Sequence, residues 1–212
     1  MTATQVSARE LFQAAYENRY TWDANFPGYT AEVRYTSGDG EYTGKVKVGA
    51  DLKADITGVG DETAQKAIHQ QLWETAIHRV RRGFEQVHGD NTFRYGQKDE
   101  TGAIELLMGG KAEGDRYKLR NNEVCHVHRH IHGVVVTIDT FSSHATGAGY
   151  LSHTYDSVYH DPQTGEQKGG KSVFEDDYTK VGDYVILSRR LIKTEGVETP
   201  SEFAFSNIEL LA

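Results

Sequence analysis

The chain has 212 residues, with 31 acidic and 23 basic side chains, giving a formal charge of −8 with all ten histidines neutral. Apolar residues make up 37%, there are three prolines, and no run reaches the ~18 consecutive apolar residues of a membrane span, so a disordered chain and a helical membrane protein are both excluded. An acidic chain repels nucleic acid at neutral pH, and a single cysteine, Cys125, excludes an internal disulfide and fits a reducing compartment.

The first element is a helix over residues 8–20. Ser7 and Glu10 have capping-box spacing, and Leu11, Phe12, Ala15 and Tyr16 follow at helical intervals. An aromatic-rich exit, Trp22, Phe26 and Tyr29, follows, with Pro27 stopping any continuation. Three alternating segments come next, Tyr29 to Tyr35, Tyr42 to Val48 and Leu52 to Ile56, with Gly38-Asp39-Gly40 as the turn of a hairpin. A second helix is expected over residues 62–82, capped by Asp61 and striped by Ala64, Ile68, Leu72, Ala76 and Val80, with Trp73 and Ile77 broadening the stripe. The basic run His78-Arg79-Val80-Arg81-Arg82 then offsets the negative end of its dipole, or else meets an acidic headgroup or phosphate.

Everything after Thr92 alternates with period two between tight turns. The expected strands are Thr92 to Tyr95, Ile104 to Met108, Arg116 to Leu119, Val124 to Thr140, Tyr150 to His160, Lys171 to Tyr178, Tyr184 to Lys193 and Phe203 to Leu210. Connections this short require antiparallel pairing. Glu175-Asp176-Asp177 reads as a solvated strand end that limits edge pairing. No linker divides the chain, so the expectation is one α+β domain, 1–212, with two helices packed on a large antiparallel sheet.

His126-Val127-His128-Arg129-His130-Ile131-His132 is the most informative stretch. Alternate residues of a strand share a face, so the four imidazoles form a row about 20 Å long, too long for one four-histidine metal site. His128 and His130 are the adjacent pair able to chelate one divalent ion, with a third ligand drawn from His153, His160, Asp139 or Asp156. The same row suits contact with a flat conjugated ligand or haem iron, or a plain solvated face. If the strand runs straight through Gly133, the histidines share a face with Val134, Val136 and Ile138. If Gly133 is a bulge, Val127 and Ile131 join those residues in the core instead. The bulge gives the cleaner core, and it turns Arg129 inward, where its charge needs a partner.

Several longer runs carry a family resemblance. Ala14 to Trp22, Val127 to Val134, Tyr155 to Pro162 and Gly169 to Phe174 resemble an uncharacterised family of cyanobacterial and plant-plastid proteins, from about Leu11 to Ile208. The element order is also similar to the open half-barrel of periplasmic lipoprotein carriers, which implies a curved sheet. The phototroph resemblance implies pigment, lipid or tetrapyrrole chemistry as the setting.

Three functions follow from these readings. The first is a binding protein for an apolar or conjugated small molecule, lined by Trp22, Trp73, Arg129 and His132. The second is a metal-dependent enzyme built on His128 and His130; the third is an assembly factor that meets a protein partner. No Gly-x-Ser-x-Gly elbow, Walker loop or His-Glu-x-x-His signature is present. Met1 to Arg9 shows no secretory signal, so cytoplasm or plastid stroma is the expected compartment.

Overall fold

The structure is a computed structural model that describes residues 6–38 and 40–212. Asp39, and with it the middle of the expected Gly38-Asp39-Gly40 turn, lies outside the described residues, as do residues 1–5. The elements run α1 (Ala8–Glu17), β1 (Gly28–Ser37), β2 (Gly40–Gly49), β3 (Ala54–Thr57), α2 (Glu62–Arg79), α3 (Phe84–His88), β4 (Asn91–Lys98), β5 (Ile104–Gly110) and β6 (Arg116–Arg120). They continue with β7 (Glu123–Ile131), β8 (Val134–Ala145), β9 (Tyr150–His160), β10 (Gln167–Val181), β11 (Tyr184–Thr194) and β12 (Ser201–Leu210). Twelve strands form one open antiparallel sheet in the order β3-β2-β1-β12-β11-β10-β9-β8-β7-β6-β5-β4, with helices packed on it. No helix among the described residues is long and apolar enough to cross a membrane.

Both expected caps form. The Ser7 hydroxyl accepts from the Glu10 amide while the Glu10 carboxylate accepts from the Ser7 amide, and an Asp61 carboxylate oxygen accepts from Ala64 N at 2.7 Å. The helices are shorter than expected. α1 ends at Glu17 rather than residue 20, because Asn18 O and Tyr20 N are taken by the backbone of Tyr150. Gly149 permits that approach: its φ is +129°, and a Cβ there would lie 2.4 Å from Asn18 O. α2 ends at Arg79, since Val80 turns extended and bridges to Trp22, and Gly83 becomes the N-cap of the unforeseen α3.

Two compact units divide the chain. The first comprises Met1–Tyr20 with Arg82–Ser172. Its core lies beneath α1, where Phe12, Ala15, Phe84, Leu106, Met108, Tyr117 and Leu119 are buried. The second comprises Thr21–Arg81 with Val173–Ala212. Here β1 buries alternate residues, Tyr29, Ala31, Val33 and Tyr35, and α2 buries Ala64, Ile68, Leu72 and Ala76. Trp22 is buried too, stacked on Phe26 with ring centroids 4.0 Å apart.

Candidate functional site

The segment expected as one strand, Val124 to Thr140, is two. β7 and β8 form a hairpin whose two-residue turn is His132-Gly133, with φ of +49° and +77°. Positive φ at both positions is the type I′ signature. A two-residue turn pairs Ile131 with Val134, an odd separation, so the faces change parity as a bulge would have changed them. Val127, Arg129 and Ile131 therefore share a face with Val134, Val136 and Ile138, and His126, His128 and His130 share the other with Thr137 and Asp139. His132 occupies the turn and leaves the row at three.

Each histidine of that row is held at its Nδ1. His126 Nδ1 donates to Asp139 Oδ1 at 2.6 Å, His128 Nδ1 lies 3.0 Å from Thr137 Oγ1, and His130 Nδ1 donates to Asp115 Oδ1 at 3.1 Å. The rings of His128 and His130 are 5.9 Å apart. Burial, followed by the nearby Arg116 and the two flanking histidines, holds His128 below the usual imidazole pKa, so its ring is neutral at pH 7. Farther along the same face, the buried Asp156 pairs with Lys171.

Arg129 points to the opposite face, the one on which Val127 packs against the core, with its own side chain 43% exposed. Its partner is Asp115, 7% exposed at the side chain, with 3.6 Å between Nε and Oδ2. Asp115 also accepts from the His130 amide at 2.9 Å, so a single buried carboxylate orients both residues. Cys125, which donates to Lys118 O, has its thiol pKa raised first by burial, which outweighs the opposing charges of Arg120 and Lys118 and keeps the thiol protonated and unreactive.

In the second unit the two tryptophans have different environments. Trp22 is 4% exposed and donates from Nε1 to Val185 O at 3.2 Å. Trp73 is 53% exposed, so the apolar stripe of α2 is narrower than expected. The residues beside Leu72 and Ala76 that are buried instead are Gln71 and Thr75. Thr75 donates to the Gln71 carbonyl within the helix, and the Gln71 side chain joins a polar cluster that the sequence did not suggest. Arg190 donates to both oxygens of Asp176 at 2.7 and 2.6 Å and to Gln71 Oε1 at 2.9 Å, with Arg190 6% and Asp176 1% exposed. Tyr178 donates to Asp176 and accepts from Arg79, at 3.3 Å each.

Glu175-Asp176-Asp177 is thus no solvated strand end. β10 lies between β9 and β11, so it is not an edge. Period two puts Glu175 and Asp177 on Arg189, at 3.1 and 3.3 Å, and Asp176 on Arg190 across the sheet. The available signal was the pair Arg189-Arg190 on the next strand, two adjacent cations that match adjacent anions face by face.

A groove of about 860 Å3 opens on β1, β2 and β3 in this unit. It lies at a β-bulge, where the β1–β12 register slips between Thr30 and Glu32 and Asn207 takes a φ of +51°. Asn207 Nδ2 donates to Glu32 at 2.9 Å, and both residues line the groove. Lys45, Lys47, Ile56 and Glu209 line it as well. Among the described residues neither Lys45 nor Lys47 belongs to an ion pair.

No curated protein matches this chain. Among solved structures, a DUF1329 family protein from Desulfovibrio piger ATCC 29098 is similar at 7% identity and a TM-score of 0.30, covering 97% of this chain and 94% of that one. A likeness that slight carries no argument about function. The family comparison is firmer, because it spans residues 3–211, almost the whole sequence. The chain belongs to the DUF3386 family, described as a protein of unknown function.

Proposed function

We propose that this protein binds a small apolar or conjugated molecule bearing one or two acid groups, of the lipid, pigment or tetrapyrrole kind, in the groove on β1–β3. The observation that carries the reading is the groove itself. Its volume, about 860 Å3, lies within the ~300–1,000 Å3 range of small-molecule sites. It opens where a bulge interrupts the sheet, a common place for binding residues. Lys45 and Lys47 present aliphatic stems as apolar wall and ammonium groups as partners for a carboxylate. Glu32, Asp55 and Glu209 line the same groove and disfavour a polyanion such as a nucleotide. The family resemblance to proteins of phototrophs supplies the setting in which such pigments and lipids abound.

Fluorescence titration with cis-parinaric acid and with protoporphyrin IX tests this. Saturable one-to-one binding is expected for at least one of them, weakened about tenfold in a Lys45→Glu/Lys47→Glu variant that still folds. Absence of saturable binding by the wild type, or equal affinity in the variant, overturns the reading. An absorbance spectrum of protein taken from its own cells tests it separately for a retained chromophore.

A further inference from the structure

The first unit contains a closer imidazole pair than the one on β7. His144 on β8 and His153 on β9 have ring centroids 4.3 Å apart, tilted by 53°, against 5.9 Å for His128 and His130. A ring nitrogen of His144 lies within 4.8 Å of one of His153. Both residues are half-buried.

The strand pairing explains their meeting. His144 opposes Leu151, so His153 is its diagonal neighbour on the same face. Diagonal residues stand about 7–8 Å apart in a regular ladder. Here the register is irregular, with Ser142 opposite Thr154 and Ser143 opposite Ser152. Ser142 Oγ and Thr154 Oγ1 are 2.6 Å apart across this irregularity and tie the two strands together there. An irregular ladder bends the strand and re-aims its side chains. The resulting ring approach is closer than the regular ladder of β7 gives to neighbours on a single strand.

We propose that His144 and His153 form a transition-metal site, each giving one ring nitrogen to a Zn2+, Ni2+ or Cu2+ ion, with the remaining positions open to water or a bound molecule. A tetrahedral ion at about 2.0–2.1 Å from each nitrogen sets them roughly 3.3 Å apart, which a small rotation of the two rings supplies. Imidazole pairs select these borderline ions over Mg2+ and Ca2+, and Cu2+ binds most tightly of the divalent series. The half-buried setting removes part of the competition from water. The site is independent of the groove in the other unit, so either proposal can fail alone.

The test is calorimetric titration of the full chain with Zn2+ and Cu2+, alongside His144→Ala, His153→Gln and a His128→Ala/His130→Ala double variant, each checked for folding by circular dichroism. One equivalent of Cu2+ is expected in the wild type and in the β7 double variant, with affinity about tenfold or more weaker in each single variant. Loss confined to the β7 double variant would move the site to His128 and His130 and overturn the proposal. So would unchanged affinity in both single variants, or no binding by the wild type. If the single variants unfold, wild-type histidine resonances decide: substoichiometric Cu2+ must broaden His144 and His153 before the other imidazoles, and any other order rejects the site.

Discussion

The two long helices rest on opposite kinds of ground. α1 sits on an aromatic bed: the Phe12 ring lies 4.7 Å from Tyr117, 5.1 Å from His88 and 5.5 Å from Phe93, centroid to centroid. α2 buries an apolar stripe as well, but Gln71 and Thr75 lie beside it and Gln71 accepts from the buried Arg190. An aromatic seat gains from the area it removes from water and tolerates small adjustments. A seat on a paired charge makes a steeper demand, because each ion is tolerable only while the other is present. α2 is therefore held by hydrogen bonds to a buried ion, and α1 by aromatic shape with polar ties only at its exposed rim, such as Arg9 to Glu85.

The sharpest way to break this comparison is to remove one ion. Asp176→Ala leaves the Arg190 guanidinium buried without its bidentate carboxylate, and the expected loss is about 3–5 kcal/mol in urea unfolding. Replacing both, Arg190→Met with Asp176→Leu, removes the charge that needed a partner, and it should recover much of that loss. A double variant no better than the single would mean that the pair itself does not dominate the seat of α2.

The aromatic bed has its own polar member, and pH addresses it. His88 is 6% exposed, and Asn91 Nδ2 donates to its Nδ1 at 3.1 Å, which a neutral ring accepts. Burial, then the cations Arg129, Arg19 and Arg9 against the opposing Asp115, hold its pKa down at about 4. An unfolded histidine titrates near 6.5, so between those values the unfolded chain binds a proton that the folded chain refuses. Stability must therefore fall as the pH drops from about 6.5 to about 4, by up to roughly 3 kcal/mol from this residue, and flatten below that. His88→Gln keeps a hydrogen-bonding side chain and removes the titration. Urea unfolding at pH 7 and pH 4.5 should show a smaller pH difference in the variant; an equal difference would assign the effect to other groups.

Strand content was legible from period-two sequence patterning between tight turns, although burial itself does not alternate in β9, where Tyr150 and Leu151, and Asp156 and Ser157, are buried as neighbours. Tyr150–His160 begins and ends as the pattern predicts. The reading failed where two structures share one parity. A bulge at Gly133 and a two-residue turn at His132-Gly133 assign the same residues to the same faces, so the facing was right and the device wrong, while burial follows neither face alone: Val135, opposite His130, is as buried as Val136. The face of Arg129 and its need of a partner follow from that parity, although the side chain stays 43% exposed; its partner Asp115 does not, since it comes from the loop before β6 and depends on register. The Arg190–Asp176 pair was hidden for a different reason. Charged residues are presumed solvated until a partner on the same face is known, and that too is a matter of register.

The smallest expected effect sharpens the orientation of α2. Residues 72, 73, 76 and 77 are all apolar, so a helical wheel permits a broad stripe that takes in Trp73 and Ile77. The polar seat turns the helix instead toward Gln71 and Thr75, leaving Trp73 53% and Ile77 36% exposed. If that rotation is right, Trp73→Ala removes little buried area and changes stability by no more than about 0.5 kcal/mol. Trp22→Ala, by contrast, deletes a ring stacked on Phe26 and should cost about 3–5 kcal/mol. Urea unfolding of the two variants measures the difference directly. The Trp73 ring should also be quenched freely by iodide and the Trp22 ring protected. Comparable losses from both variants, or equal quenching, would show that α2 rolls its aromatic side into the unit and that Gln71 does not set its register.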